Sequence, residues 1–250
     1  MHPVLQIGPL ALQFPGLLLL LGVWAAVLLA ERRARREGVH SGALSNLTFY
    51  ALIAGLVGAR LGHAMRFIQL YFENPLGLLA LSPTTLSLPE GLLAAGLTGW
   101  IYHYRAGLPL WPTLDALTPG LAAVMIAIGL AHIASGDAFG SPADIPWAIQ
   151  LWGAHRHPTQ IYETLAAALI FASTLRRPTP YPFPGYTFLR FTALTAAARL
   201  FLEAFRGDSL LMLGGIRTMQ VVSLAALLLA LLGMHLLATR TQAADSRLGL

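Results

Sequence analysis

Long apolar runs recur along the whole chain, and short polar segments separate them. Because a membrane-spanning helix needs roughly 20 mostly apolar residues, the pattern predicts seven transmembrane helices, over residues 10–30, 46–66, 87–106, 115–134, 159–175, 186–205 and 216–238. Lipid offers no hydrogen bonds to the backbone, and these runs are too long and too uniformly apolar for barrel strands. The sequence therefore predicts an all-α, polytopic membrane helical bundle, with a single domain over 1–239 and a disordered cytoplasmic tail over 240–250.

Basic residues follow alternate predicted helices and indicate how the chain is oriented. They are Arg32, Arg33, Arg35 and Arg36 after the first helix, Arg105 after the third, Arg176 and Arg177 after the fifth, and Arg240 and Arg247 after the seventh. Since cytoplasmic loops carry an excess of basic residues, these ends are predicted to be cytoplasmic and the N-terminus to lie outside. The first run lacks a preceding basic region and a small-residue cleavage pattern, so we expect a retained helix and not a signal peptide.

The composition excludes several kinds of chemistry. All 16 basic residues are arginine, and the chain has no cysteine. Schiff-base catalysis by lysine, a thiol nucleophile, a disulfide framework and a thiolate metal site are thus excluded, and neither a metal nor a cofactor is predicted. The net charge is +5, but the arginines lie at loop ends and inside helices and form no stripe with aromatic residues. Anionic lipid headgroups, and not nucleic acid, are the expected partner.

The octet over residues 156–163 lies between long apolar runs, at the end of a glycine-rich loop over 135–158 that is predicted to face outward. A charged side chain at the centre of a membrane helix costs about 2.5–3.5 kcal/mol on insertion scales, so such a cluster needs partners or a function. We expect Arg156 or His157 at the helix cap. Gln160 and Glu163 lie three residues apart on one face, where they can bind a lipid glycerol backbone or orient an arginine. A purely structural network is the alternative.

Two other predicted helices carry arginines. Arg60 is surrounded by small residues that allow close approach of a ligand or another helix, and it is a candidate phosphate ligand or a structural ion-pair partner. Arg199, Glu203 and Arg206 lie on one helical stripe. The stripe either neutralises itself or uses its surplus positive charge to hold a phosphate, since the planar fork of arginine binds phosphate oxygens in pairs. We expect Arg60, Arg156 and Arg199 to converge on one pocket near the outer leaflet.

Taken together, these segments resemble the prolipoprotein diacylglyceryl transferase family of bacteria. The resemblance rests on the octet and the loop before it, on the segments 7–12, 58–62 and 199–206, and on Met219, Gln220 and Ser223. It implies a multi-pass inner-membrane enzyme with its site toward the outer leaflet. Such an enzyme moves the diacylglyceryl group of phosphatidylglycerol onto the lipobox cysteine of a prolipoprotein, which forms a thioether and releases glycerol phosphate. The implied partners are phosphatidylglycerol, the prolipoprotein signal peptide and membrane lipids.

The resemblance also implies roles for individual residues. The acceptor thiol must become a thiolate, and the charge on the departing phosphate must be held. Arg199 is the implied phosphate clamp, and Glu203 orients it. The implied lipid-binding residues are Arg60, Arg156, His157, Gln160, Glu163, Gly140 and Arg206.

The chain departs from the family pattern at several polar positions. A signature arginine, two asparagines and a glutamate are replaced by Gly129, His132, Ser135 and Asp137, while a tyrosine is replaced by Pro15 and a histidine by Pro89. Two groups can supply a general base if their surroundings adjust their basicity. These are Glu90, which lies beside the missing histidine, and His132.

The departures leave other functions open. One is a family member that binds anionic lipid or lipoprotein precursor without chemistry, and another is transfer to a different acceptor. A transporter is disfavoured, because the sequence shows no paired hydrophobic halves and its buried charges cluster toward one side.

Overall fold

A computed structural model describes residues 4–7, 10–73, 77, 85–176, 178, 181–212 and 214–248. Arg177, the segment 8–9 of the first quoted motif and the last two residues of the predicted tail lie outside the described residues. Within them the chain forms eight α-helices, which are α1 (Phe14–Ala34), α2 (Ser41–Arg66), α3 (Ile68–Glu73), α4 (Leu88–Arg105), α5 (Leu110–Ser135), α6 (Thr159–Leu175), α7 (Tyr186–Leu202) and α8 (Thr218–Leu248). A long helix occupies each of the seven predicted regions, so the all-α class is confirmed.

Four of these helices are long and apolar enough to cross a membrane by length and composition. They are Phe14–Ala34, Ser41–Arg66, Leu110–Ser135 and Thr218–Ala243. Helices α4, α6 and α7 are shorter, with 18, 17 and 17 residues. The chain is a multi-pass membrane protein, while its predicted orientation stays a prediction.

Several predicted boundaries were wrong. The first helix begins at Phe14 because the segment before it forms a hairpin of strands β1 (Val4–Ile7) and β2 (Leu10–Gln13). A second hairpin, of β3 (Ile149–Leu151) and β4 (Ala154–Arg156), lies in the loop before α6. The last helix continues to Leu248, so the tail predicted to be disordered is helical over 240–248.

The chain divides into two compact units, residues 1–33 with 114–250 and residues 34–113. The single-domain organisation stays a prediction. In the first unit, α1 and α5 meet at small residues. A Cβ on Gly120 would lie 2.6 Å from the carbonyl oxygen of Ala26, so the two backbones approach as closely as small residues permit. Ala122, Ile170 and Phe191 form a buried apolar cluster that joins α5, α6 and α7.

Asp115 fixes the start of α7 from the side of α5. It is fully buried, and its carboxylate accepts hydrogen bonds from the Tyr181 hydroxyl and from the backbone N–H groups of Gly185 (2.6 Å) and Phe188 (2.8 Å). The first N–H groups of a helix have no acceptor within the helix, so a carboxylate at this end can accept their hydrogen bonds. Its negative charge also interacts favourably with the positive end of the helix dipole. This role of Asp115 was not predicted from the sequence.

In the second unit, α2 packs on α4 through small residues. A Cβ on Gly55 would lie 3.2 Å from the Cβ of Ala95, and one on Gly91 would lie 2.8 Å from the Cβ of Ala59. This close packing places Gly58 and Gly62, in the second half of α2, beside Glu90 in the first turn of α4.

Candidate active site

A cavity of about 200 Å³ lies between α5, α6, α7 and the start of α8. Its walls are mostly apolar and include Met125, Ile128, Ala167, Ile170, Leu202 and Met219. Three ionisable side chains also line it, namely His132 of α5, Glu163 of α6 and Arg199 of α7. A mostly apolar pocket with a few convergent polar groups is the usual form of a small-molecule or lipid site.

Glu163 is the centre of the charged network. Its Oε1 accepts hydrogen bonds from Nη1 of Arg199 (2.7 Å) and from Nη1 of Arg206 (2.6 Å). Its Oε2 lies 3.6 Å from Nδ1 of His132. The carboxylate is largely buried, with 15% of the side chain exposed, and it therefore holds groups from α5, α7 and the segment after α7 around one point.

Arg199 joins this centre to a second buried acid. Its Nη2 lies 3.0 Å from Oε2 of Glu203, whose side chain is only 1% exposed. The Nε of Arg199 is buried and has no hydrogen-bond acceptor among the described residues. Because Arg199 lines the cavity, a ligand oxyanion is the kind of acceptor that would satisfy this donor.

The segment after α7 balances the charge of the predicted stripe. Arg206 binds both carboxylate oxygens of Asp208, at 2.9 and 2.7 Å. Burial disfavours its charged form, but the carboxylates of Glu163 and Asp208 outweigh that effect and hold the pKa of Arg206 above its usual value. The stripe taken alone suggested surplus positive charge, whereas Glu163 and Asp208 offset it.

Arg217 closes the turn between α7 and α8. It donates hydrogen bonds to the carbonyl of Glu203, to the carbonyl of Arg206 (2.7 Å) and to the hydroxyl of Ser209 (3.0 Å). Asp208 and Arg217 were not predicted as site residues, because both lie in a short turn with no periodic pattern. The sequence does show that both are charged and follow Arg206, the last residue of the predicted stripe.

Arg156 and Gly140 hold the loop between α5 and α6 together. The Arg156 guanidinium donates to the carbonyls of Leu151 (3.0 Å) and Gly140 (3.2 Å) and lies over the ring of Phe139. A Cβ on Gly140 would collide with the carbonyl oxygen of His157. The guanidinium of Arg156 is thus already hydrogen-bonded to backbone carbonyls, and the absence of a side chain at Gly140 is required for close packing. Their predicted lipid contacts stay predictions.

His157 and Gln160 lie between that loop and the site. The amide of Gln160 donates to the carbonyl of Asp137 (3.0 Å), and the ring of His157 packs against that of Phe205. Gln160 is only 2% exposed, and its Oε1 and the Nδ1 of His157 are buried with no hydrogen-bond partner in the described part of the chain. Buried polar atoms are normally paired, so both are candidates for contact with a ligand or ordered water.

Arg60 and Glu90 belong to the second unit. The buried Arg60 donates to the carbonyls of Gly77 and Thr85 and lies over the ring of Tyr71. Glu90 accepts hydrogen bonds from the Ser87 hydroxyl and from Nη2 of Arg66. These contacts favour a structural role for both. The predicted convergence of Arg60 with Arg156 and Arg199 stays a prediction.

Comparison with known proteins identifies the family. The family model described as prolipoprotein diacylglyceryl transferase matches residues 3–236. The chain is 32% identical over 266 residues to the phosphatidylglycerol–prolipoprotein diacylglyceryl transferase of Thermus thermophilus. The aligned region covers 91% of this chain and 95% of that protein. A protein of the same name from Synechococcus elongatus is 27% identical over 92% of this chain and 85% of its own length. Since the family model spans nearly all of it, the chain belongs to the prolipoprotein diacylglyceryl transferase family.

Proposed function

We propose that the protein transfers the diacylglyceryl group of phosphatidylglycerol to the lipobox cysteine of a prolipoprotein in the bacterial inner membrane. The cavity between α5, α6, α7 and α8 is the proposed site, on the outer-leaflet side. One observation supports this most strongly: Arg199, which has an unsatisfied buried N–H, and His132, which faces a carboxylate, line the same mostly apolar cavity. The reaction needs both a cation for the phosphate and a base for the thiol.

The transfer step is a displacement at the glycerol carbon that carries the phosphate ester. The thiol proton passes to the base, the thiolate sulfur forms a bond to that carbon, and the carbon–oxygen bond breaks. Glycerol phosphate leaves with the electron pair. Arg199 binds the phosphate oxygens on which charge develops, and Glu203 and Glu163 hold its guanidinium in place from two sides.

His132 is our preferred general base. Its Nδ1 lies 3.6 Å from Oε2 of Glu163, a distance longer than a formed hydrogen bond, but such contacts often tighten only in the substrate complex. A carboxylate that orients a histidine is the usual support for a base that activates a nucleophile. Glu90, the other candidate, is already bound by Ser87 and Arg66 in the second unit.

The test is a lipidation assay with purified protein, phosphatidylglycerol vesicles and a lipobox peptide. We expect a heavier and more hydrophobic peptide that no longer reacts with thiol reagents. Loss of a general base typically lowers a rate by about 10²–10⁴-fold, so His132→Asn should lower kcat/KM by that factor, whereas Glu90→Gln should leave it within about threefold. The exposed Asp144→Asn serves as the control. A large loss in Glu90→Gln with full activity in His132→Asn would reverse the assignment.

Lipid binding without turnover is the second candidate, and Gly129 favours it. This residue stands where the family has an arginine, and a Cβ there would lie 3.1 Å from the Cα of Thr164 and collide with its hydroxyl. The close approach of α5 and α6 therefore leaves no room for a long side chain. Stoichiometric phosphatidylglycerol without product, while another transferase is active in the same assay, would support this candidate over catalysis.

A further inference from the structure

A shallow surface notch lies where α6 ends and α7 begins. It is at the far end of these two helices from Glu163 and Arg199, which belong to the proposed site. Arg176, Arg190 and Thr187 line it. Arg176 follows an apolar helix and belongs to the basic ends predicted to be cytoplasmic, so the notch is expected at the headgroup level of the cytoplasmic leaflet.

The two arginines of the notch differ from those of the proposed site. There, Arg199 and Arg206 each bind carboxylates. By contrast, neither Arg176 nor Arg190 has a hydrogen bond or an ion pair within the described residues. Arg176 is exposed and Arg190 half-buried. Two guanidinium groups in one recess, with no acceptor in the described part of the chain, are suited to an oxyanion that both of them contact.

Thr187 supplies an independent indication of a ligand. It is only 5% exposed, and its Oγ1 is buried with no hydrogen-bond partner in the part of the chain that the structure describes. It lies in the first turn of the 17-residue helix α7, where the helix dipole also favours an anion. The carboxylate of Asp115 lies on the other side of this turn, and three hydrogen bonds already engage it.

We propose that this notch binds the phosphate of an anionic phospholipid in the cytoplasmic leaflet, held by Arg176 and Arg190, with the Thr187 hydroxyl as a third donor. A lipid is favoured over free phosphate because Leu165 and Leu169 of α6 are 58% and 74% exposed and Leu175, beside the notch, is 47% exposed. Acyl chains can lie along this apolar face. The bound lipid would tie together the cytoplasmic ends of the two helices that carry Glu163 and Arg199. This inference does not depend on the transfer reaction.

The experiment measures thermal unfolding of the purified full chain in detergent with added phosphatidylserine or phosphatidylcholine. Phosphatidylserine is anionic but is not the proposed substrate. Binding to the folded state raises the unfolding midpoint with the logarithm of the lipid concentration once that exceeds Kd, and we expect a rise of about 3–6 °C, since 1 kcal/mol corresponds to roughly 2–4 °C at this size. Phosphatidylcholine at the same concentrations should give no such rise. Arg199→Gln should keep the response to phosphatidylserine, because it changes only the proposed active site.

Three variants make the assignment specific. Arg176→Gln with Arg190→Gln should abolish the rise, whereas Arg105→Gln with Arg240→Gln, which removes the same charge at other exposed positions, should keep it. Thr187→Val should leave the lipid-free midpoint unchanged or higher, because its hydroxyl has no hydrogen-bond partner among the described residues, and should still weaken the lipid response. An equal loss in both double variants would overturn the site. An equal rise with inorganic phosphate alone, lost in the notch variant, would overturn the lipid assignment.

Discussion

At the scale of single residues, Glu163 has the most partners in the proposed site. Its carboxylate contacts both Arg199 and Arg206 and also faces His132. In the proposed function, Arg199 contacts the phosphate and His132 contacts the thiol. Glu163 acts through these two side chains and is therefore a positioning residue. Its charge keeps two guanidinium groups close together in a low-dielectric environment where they would otherwise repel each other.

Glu163→Gln is predicted to lower kcat more than it raises KM. The neutral amide no longer fixes Arg199 and His132, and a misplacement of about 1 Å can cost about 100-fold in rate, so we expect a loss of about 10- to 100-fold in kcat. The lipidation assay measures it over a range of phosphatidylglycerol concentrations. Asp208→Asn is the matched control, because Asp208 contacts Arg206 alone among these groups. Equal losses in the two variants would argue against a special role for Glu163.

Asp115→Asn is predicted to destabilise the fold without acting on the cavity. The carboxylate now accepts hydrogen bonds from three donors, and the amide would turn its NH₂ group toward one of them. Hydrogen bonds to charged groups contribute roughly 1.5–3 kcal/mol, so we expect a loss of about that size in the free energy of unfolding. Unfolding in mixed micelles measures it, with the exposed Asp144→Asn as control. An unchanged free energy of unfolding would show that the capping is energetically neutral.

At the scale of helices, small residues set the distances between neighbours. Gly120→Ala would place a methyl group 2.6 Å from the backbone carbonyl oxygen of Ala26. Because a backbone atom cannot rotate away, α1 must shift, and overpacking of this kind costs about 1–3 kcal/mol. We expect a lower unfolding midpoint for this variant.

Gly99→Ala is the matched control for that substitution. Gly99 also lies inside a helix, but a Cβ there meets nothing within 4 Å. Alanine is favoured over glycine in a helix by roughly 0.5–1 kcal/mol, so its midpoint should stay the same or rise. A similar fall in both variants would mean that helix packing at Gly120 is not the cause.

The helices could be predicted from the sequence, while the polar connections could not. Long apolar runs locate all seven long helices, because hydropathy over about 20 residues is a strong signal. The two hairpins have strands of only three or four residues, too short for a periodic signal. The stripe of Arg199, Glu203 and Arg206 followed from helical spacing, but Asp208 and Arg217 join it through a turn whose conformation the local sequence does not specify.

At the scale of the whole molecule, the two compact units separate the predicted site residues. The cavity with His132, Glu163 and Arg199 lies within the unit that contains residues 114–250, and Arg60 and Glu90 lie in the other. Within the first of these units, the cavity already brings together the cation and the candidate base that the proposed chemistry uses. The proposed transfer step therefore rests on residues of α5, α6 and α7, and four of the departures from the family pattern lie in the second half of α5 and the loop after it.

The orientation of the whole chain can be tested by labelling, because the chain contains no cysteine. Asp144 lies in the loop predicted to be outside, and Arg240 lies in the last helix near the end predicted to be cytoplasmic; both are exposed. In intact spheroplasts, an impermeant maleimide should label Asp144→Cys, and Arg240→Cys should be labelled only after permeabilisation, since basic ends are retained in the cytoplasm. The unsubstituted chain gives the background. The reverse pattern would place the cavity toward the cytoplasmic leaflet, where a secreted prolipoprotein could not reach it in the proposed way.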